Sequence, residues 1–190
     1  MVIILSNSQA NHEIVWSGIR TSSLDYCTVR RENGGWRFAG LLIVKPKANP
    51  FAVRYEISTD ERFNTRSLNI EKTELGLEKR VKIESRHGSW FVNGRERSDL
   101  NECSDVDMEA SPVTNTLPIR RNRLKVGQKV NLAVAWVRFP ALAVSTLQQR
   151  YERLSAKKYL YQSSSGFSAE LEVNRFGLVT RYGDIWKEVR

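Results

Sequence analysis

Two carboxylates two positions apart, Asp105 and Asp107, precede two adjacent guanidinium groups, Arg120 and Arg121. On a strand both Asp side chains project from one face, close enough to share a metal ion or to divide acid and base roles. A Mg²⁺ ion held by such carboxylates and by substrate phosphates would suit the Arg pair. The competing reading is structural, and it outweighs the catalytic one. Asp beside a loop commonly accepts backbone N–H groups or pairs with Arg. In an extended chain Arg120 and Arg121 point to opposite faces, so one is expected to brace Asp105 or Asp107 while the other faces a pocket or solvent. An Arg fork matches either a carboxylate or a phosphate, so the brace is expected to be bidentate. Asn115 and Thr116 offer an amide and a hydroxyl that suit sugar hydroxyls, although turn-making is their commoner use. Pro112 and Pro118 restrict the residues before them. Ser111 and Leu117 are therefore expected to be non-helical, and the segment to be a rigid, shaped loop between two strands.

Trp16, Trp36, Trp90, Trp136 and Trp186 are numerous for this length, and Tyr55, Tyr151, Tyr159 and Tyr161 add to them. Aromatics inside a curved sheet can line a cavity for an acyl chain or stack on a sugar, although filling a core is commoner. Tyr55, Trp90, Trp136 and Tyr151 are the expected cavity residues, with Arg120 as the contact for an anionic head. Cys27 and Cys103 form no CxxC pair, and His12 and His87 complete no zinc pattern. No metal or other cofactor is expected. Each Cys is read as a small buried apolar residue. P-loop, GxGxxG and nucleophile-elbow signatures are missing, so an enzyme is the less favoured class.

The balance of 30 Lys and Arg against 21 Asp and Glu gives a net charge of +9 over 190 residues. That charge attracts nucleic acid, anionic membranes or phosphorylated small molecules without choosing among them. Its clusters (Arg30-Arg31, residues 120–125, Lys157-Lys158) are short, so nucleic-acid binding is expected to be non-specific at most. The opening run Met1-Val2-Ile3-Ile4-Leu5 lacks a basic flank and is too short for a secretion signal, and no stretch reaches the length of a membrane span. The cytoplasm is the expected compartment.

The elements that must position these groups read as strands. Phe51, Val53, Tyr55 and Ile57 alternate with Ala52, Arg54, Glu56 and Ser58, the period of a strand with one buried face. Phe167, Ala169, Leu171 and Val173 repeat the pattern, and residues 174–177 turn into a partner strand beginning at Leu178. His87-Gly88 and Asn93-Gly94 bracket the short run Ser89–Val92 as hairpin turns. Residues 130–137, closed by Pro140, and 36–45, ended by Pro46, are longer strands; 22–31 and 63–70 are further ones. Residues 146–158 could be a helix, with Leu147, Tyr151 and Leu154 at helical spacing, or a strand with Leu147, Gln149 and Tyr151 on one face. Residues 45–50 fit a long hairpin loop better than a domain boundary. Residues 1–190 are expected to form a single all-β domain, a roll, barrel or sandwich.

The run Asp105-Val106-Asp107, Ser111-Pro112 and Thr114-Asn115-Thr116-Leu117-Pro118-Ile119-Arg120-Arg121 resembles the signature of the Putative glycolipid-binding family. The likeness extends to Tyr55, Arg66, Trp90 before Asn93-Gly94, Ala135-Trp136-Val137 before Pro140, Gln149, Tyr151 and Gly177-Leu178-Val179. Met108 stands where the family has Leu. Tyr182-Gly183 stands where it has Tyr-Pro, a departure expected to loosen the last strand. The resemblance implies one strongly curved antiparallel sheet forming a β-roll or open barrel, related to lipid and lipoprotein carriers. It favours the strand over the helix for residues 146–158. It also implies a binding protein for a glycolipid or other amphiphile with an anionic or sugar head. The alternatives are a metal-assisted phosphoesterase using Asp105 and Asp107, or a non-specific nucleic-acid-binding barrel.

Overall fold

The computed structural model describes residues 11–189, so the run Met1–Leu5 lies outside the described residues. The chain opens as an antiparallel meander: β1 (His12–Gly18), β2 (Ser22–Glu32), β3 (Gly35–Lys45), β4 (Phe51–Asp60), β5 (Thr65–Glu74), β6 (Leu77–Arg86), β7 (Ser89–Val92) and β8 (Arg95–Glu96). β9 (Cys103–Met108) follows, then a 3₁₀ turn (Pro112–Asn115) and α1 (Thr116–Asn122). A second meander completes the chain: β10 (Lys129–Arg138), β11 (Ala143–Arg153), β12 (Lys158–Ser163), β13 (Ser168–Val173), β14 (Val179–Tyr182) and β15 (Trp186–Glu188). β15 pairs with β1, which joins both meanders into one 15-stranded sheet. Every pairing is antiparallel except β9 with β10. The sheet is the expected open, strongly curved roll: it curls without closing, and β8 and β9 are its edges.

Alternation produces the inner face. On β4 Phe51, Val53, Tyr55 and Ile57 are buried, while Arg54 is exposed. The predicted strand over residues 146–158 is found as far as Arg153: Leu147, Gln149 and Tyr151 share a buried face of β11, and residues 154–157 turn into β12. Local turn chemistry sets the hairpins. Asn93 (φ 51°) and Gly94 (φ 78°) both take left-handed backbone, the form that matches strand twist across a two-residue turn. Leu75 (φ 51°) does the same before Gly76 without any sequence cue. Gly183, at the departure from the family pattern, is bonded into the sheet. It donates its N–H to Glu170 O at 2.8 Å, a bond that proline lacks the hydrogen to make.

The segment between β9 and β10 differs from the expected loop. Ser111 is extended, as Pro112 requires, and its Oγ accepts from Val113 N at 3.2 Å, capping the 3₁₀ turn. Leu117, however, is helical despite preceding Pro118. Pro118 lies in the first turn of α1, where its missing N–H has no intrahelical acceptor to lose. Burial supplies the rest: Val113 and Leu117 enter the larger core with β1–β7, and Ile119 enters the smaller core under β10–β14. The helical segment is a plug in the concave side of the sheet.

Candidate functional site

Val106 and Met108 of β9 turn into the larger core, which sends Asp105 and Asp107 together to the opposite face, toward the plug. Asp105 is fully buried and accepts a charged bond from Arg121 Nη1. The same guanidinium donates to Ser104 O and to Ser104 Oγ, each at 3.1 Å. The expected brace is therefore present, but the fork is divided between Asp105 and Ser104 instead of gripping one carboxylate. Burial pushes the Asp105 carboxyl up, and Arg121 pulls it back.

Asp107 has no cationic partner among the described residues. It accepts from Thr114 Oγ1 at 2.7 Å and from Gln149 Nε2 at 2.6 Å. Burial raises its carboxyl to about 6 against the pull of those two bonds. Asn115 Oδ1 accepts from the Tyr151 hydroxyl at 2.7 Å, and its amide donates to Pro112 O at 3.2 Å. Thr116 Oγ1 is buried with no partner among the described residues. A second buried network sits deeper. Asp25 on β2 accepts from the Tyr55 hydroxyl at 3.0 Å and from Ser111 Oγ at 2.5 Å. Burial raises Asp25 to about 6.

Beside Asp107 opens a cavity of about 300 Å³. Its walls are Trp136, Leu147, Tyr161, Phe167, Tyr182 and Trp186; Asp107, Glu109, Ser111, Asn115, Ser163 and Ser165 supply polar atoms. Of the expected cavity residues Trp136 lines it, and so does Asn115 of the expected polar contacts. Tyr55 and Tyr151 are buried with their hydroxyls committed as above, and Trp90 is buried with Nε1 donating to Cys103 O at 3.0 Å. Arg121 is held by Asp105. Arg120 turns away, its guanidinium over the rings of Phe63 (5.0 Å) and Phe176 (4.8 Å). Cys27 and Cys103 are buried free thiols, as expected.

A sequence model of the family described as Putative glycolipid-binding matches residues 13–188. The chain belongs to this family. A crystal structure of a DUF1089 family protein from Pseudomonas aeruginosa is similar at a TM-score of 0.79 and 26% identity, over 88% of this chain and 92% of that one. A search of curated proteins finds no significant match.

For a member of the Putative glycolipid-binding family, the cavity has apt chemistry. Aromatic faces stack on sugar rings, and acceptor-rich polar groups take sugar hydroxyl protons. The two carboxylates that line it, Asp107 and Glu109, disfavour an anionic head there. Metal-assisted hydrolysis gains no support: Asp105 and Asp107 are engaged by Arg121, Thr114 and Gln149, and no three His, Cys, Asp or Glu side chains converge among the described residues. No helix among those residues is long and apolar enough to cross a membrane.

Sequence reasoning missed Tyr182 and Ser111 as cavity residues and Asp25 as a buried acid. Tyr161, Phe167 and Trp186 stood out as aromatics or as alternating strand residues. Nothing in their spacing signalled that β12, β13 and β15 would bring them together opposite Trp136.

Proposed function

We propose that this protein binds an amphiphile with a sugar head, a glycolipid, and that the cavity between Asp107 and Phe167 receives the sugar. The supporting observation is the composition of that cavity: five aromatic rings surround it, and its polar atoms are carboxylate, hydroxyl and amide, with no cation. Ligand sites commonly combine such apolar walls with a few convergent polar groups. The volume of about 300 Å³ suits a single sugar ring, so the alkyl part of the ligand would lead outward past Phe167 and Ser165. Asp107 and Asn115 are the orienting acceptors; Asp105, Arg121, Tyr151 and Gln149 hold them in place. We read the chain as one domain, because a single sheet carries both walls of the cavity.

The test is a titration with octyl glucoside below its micelle concentration, followed by tryptophan emission. Trp136 and Trp186 line the cavity, so a saturable one-site shift is expected. Trp136→Ala is expected to weaken binding by about tenfold or more, the size typical of a central aromatic anchor. Failure to saturate, or affinity unchanged from the parent in both Trp136→Ala and Phe167→Ala, would remove the proposal.

A further inference from the structure

A second cavity lies at the other end of the same concave face. Tyr161 and Phe167, near the β12–β13 turn, line the sugar cavity; Tyr159 and Val173, at the opposite ends of those two strands, line the second one. The two share no lining residue. The second has a volume of about 340 Å³, and its walls carry Arg120, Arg123, Arg153, Lys157 and Arg175 with no acidic side chain.

Other cations of this half of the sheet and of α1 do meet carboxylates. Lys158 meets Glu170 and Glu172, Arg181 meets Asp184, and Arg121 meets Asp105. Among the described residues Arg120, Arg123, Lys157 and Arg175 have none. Two of these side chains are held in place, and the backbone fixes where two others start. Arg153 donates to the carbonyls of Leu124 (2.7 Å), Ala156 (2.9 Å) and Ser155 (3.1 Å), so it fixes the loop that carries Lys157 and contributes its charge without a free fork. Arg120 is clamped by Phe63 and Phe176, and its Nε is buried with no partner among the described residues. Arg123 closes α1 in left-handed backbone (φ 46°, ψ 43°), a position that ordinarily favours Gly or Asn. Arg175 sits on a turn fixed by Asn174 Oδ1, which accepts from Phe176 N and Leu178 N, both at 3.0 Å.

Concentrating like charges in a concave site without counter-charge is unfavourable, and a bound anion relieves it. We propose that this cavity is an anion site for a phosphoryl group, gripped by Arg120, Arg123, Arg175 and Lys157 around the fixed charge of Arg153. A phosphoryl group fits better than a carboxylate, because its three oxygens and up to two charges can engage several guanidinium forks at once. The buried floor of Ile119, Tyr159 and Val173 leaves apolar room for the group that carries the phosphate.

Isothermal titration calorimetry with glycerol 3-phosphate and with inorganic phosphate, at low and physiological salt, tests this. One-site binding is expected, weakened by about tenfold or more in Arg175→Gln, since each lost charged hydrogen bond carries at least that factor. Arg175 is exposed and makes no fold-stabilising bond, so this variant avoids the unfolding risk of Arg120→Gln. Arg95→Gln removes the same charge from the exposed edge strand β8 and is expected to leave binding unchanged. Trp136→Ala, in the sugar cavity, is expected to leave it unchanged too, so the two proposals can fail separately. Co-sedimentation with phosphatidic acid vesicles, against phosphatidylcholine, distinguishes a lipid head from a free phosphate. Binding to either phosphoryl source that Arg175→Gln weakens and Arg95→Gln spares supports the site. No saturable binding to any of these probes, or equal loss in Arg175→Gln and Arg95→Gln, would overturn it.

Discussion

Arg121, in the last turn of α1, reaches Asp105 in the middle of β9 and ties the plug to the edge strand of the sheet. The Asp105 side chain is 0% exposed and that of Arg121 is 16% exposed. Arg121→Ala would strand a buried carboxylate and remove two donors from Ser104. The expected loss is about 3–5 kcal/mol by urea denaturation. Asp105→Asn keeps an acceptor for Arg121 and should cost less. A loss below about 1 kcal/mol for Arg121→Ala would assign the pair the strength of an exposed one.

Asp107 and Asp25 both have carboxyls raised to about 6 in the folded chain. Unfolded, they titrate near ~3.9. Between those values the folded state holds more protons, so stability falls as pH rises from about 4 to about 6 and carries the full penalty above that range. Each group contributes on the order of 2–3 kcal/mol to this fall. Asp107→Asn should flatten the decline, because Asn does not titrate, and the fold should tolerate it, because Gln149 can rotate its amide and Thr114 still finds an acceptor. Chemical denaturation midpoints from pH 4 to 7 measure it. An unchanged slope in Asp107→Asn and Asp25→Asn would mean that neither acid is raised.

Gly40 leaves room for the Tyr55 ring. A Cβ there would lie 2.3 Å from Tyr55 Cζ and from its hydroxyl oxygen, and 2.6 Å from Tyr26 O. Gly40→Ala should displace Tyr55 and break its bond to Asp25, at about 2–4 kcal/mol. Tyr55→Phe should cost less, since it removes the bond but keeps the packing. Thermal melts of the pair give the order; a Gly40→Ala protein as stable as the parent would contradict the close approach.

Gly177 (φ 93°) presses on Arg120: its missing Cβ would sit 3.0 Å from Arg120 Cδ. Gly34 (φ 67°) is also left-handed but faces open space. Gly34→Ala should show backbone strain alone, about 1 kcal/mol, while Gly177→Ala adds displacement of the Arg120 stem between its two rings, for about 2–3 kcal/mol in total. Equal losses in the two variants would show that Arg120 yields freely.

Alternating burial made the sheet legible from sequence. Phe51, Val53, Tyr55 and Ile57 can bury one face only as a strand, and Asn93-Gly94 admits few backbones other than a tight hairpin turn, because both signals act over two to four neighbouring residues. The Asp105–Arg121 brace was legible for a related reason: an Asp beside a polar loop commonly pairs with Arg, and the chain places one just downstream. The helical state of Leu117 was not legible. Its local preference, set by Pro118, points to extended backbone, and only burial between two cores that do not exist until the sheet curls reverses it. That same curl separated Arg120 from Trp136, sending one to the cation-lined cavity of the concave face and the other to the aromatic-lined one. Residue type and spacing thus determined the strands, their turns and the need for a brace. The pairing of β15 with β1, a contact between opposite ends of the chain, decided which aromatics surround a cavity and which fill the core.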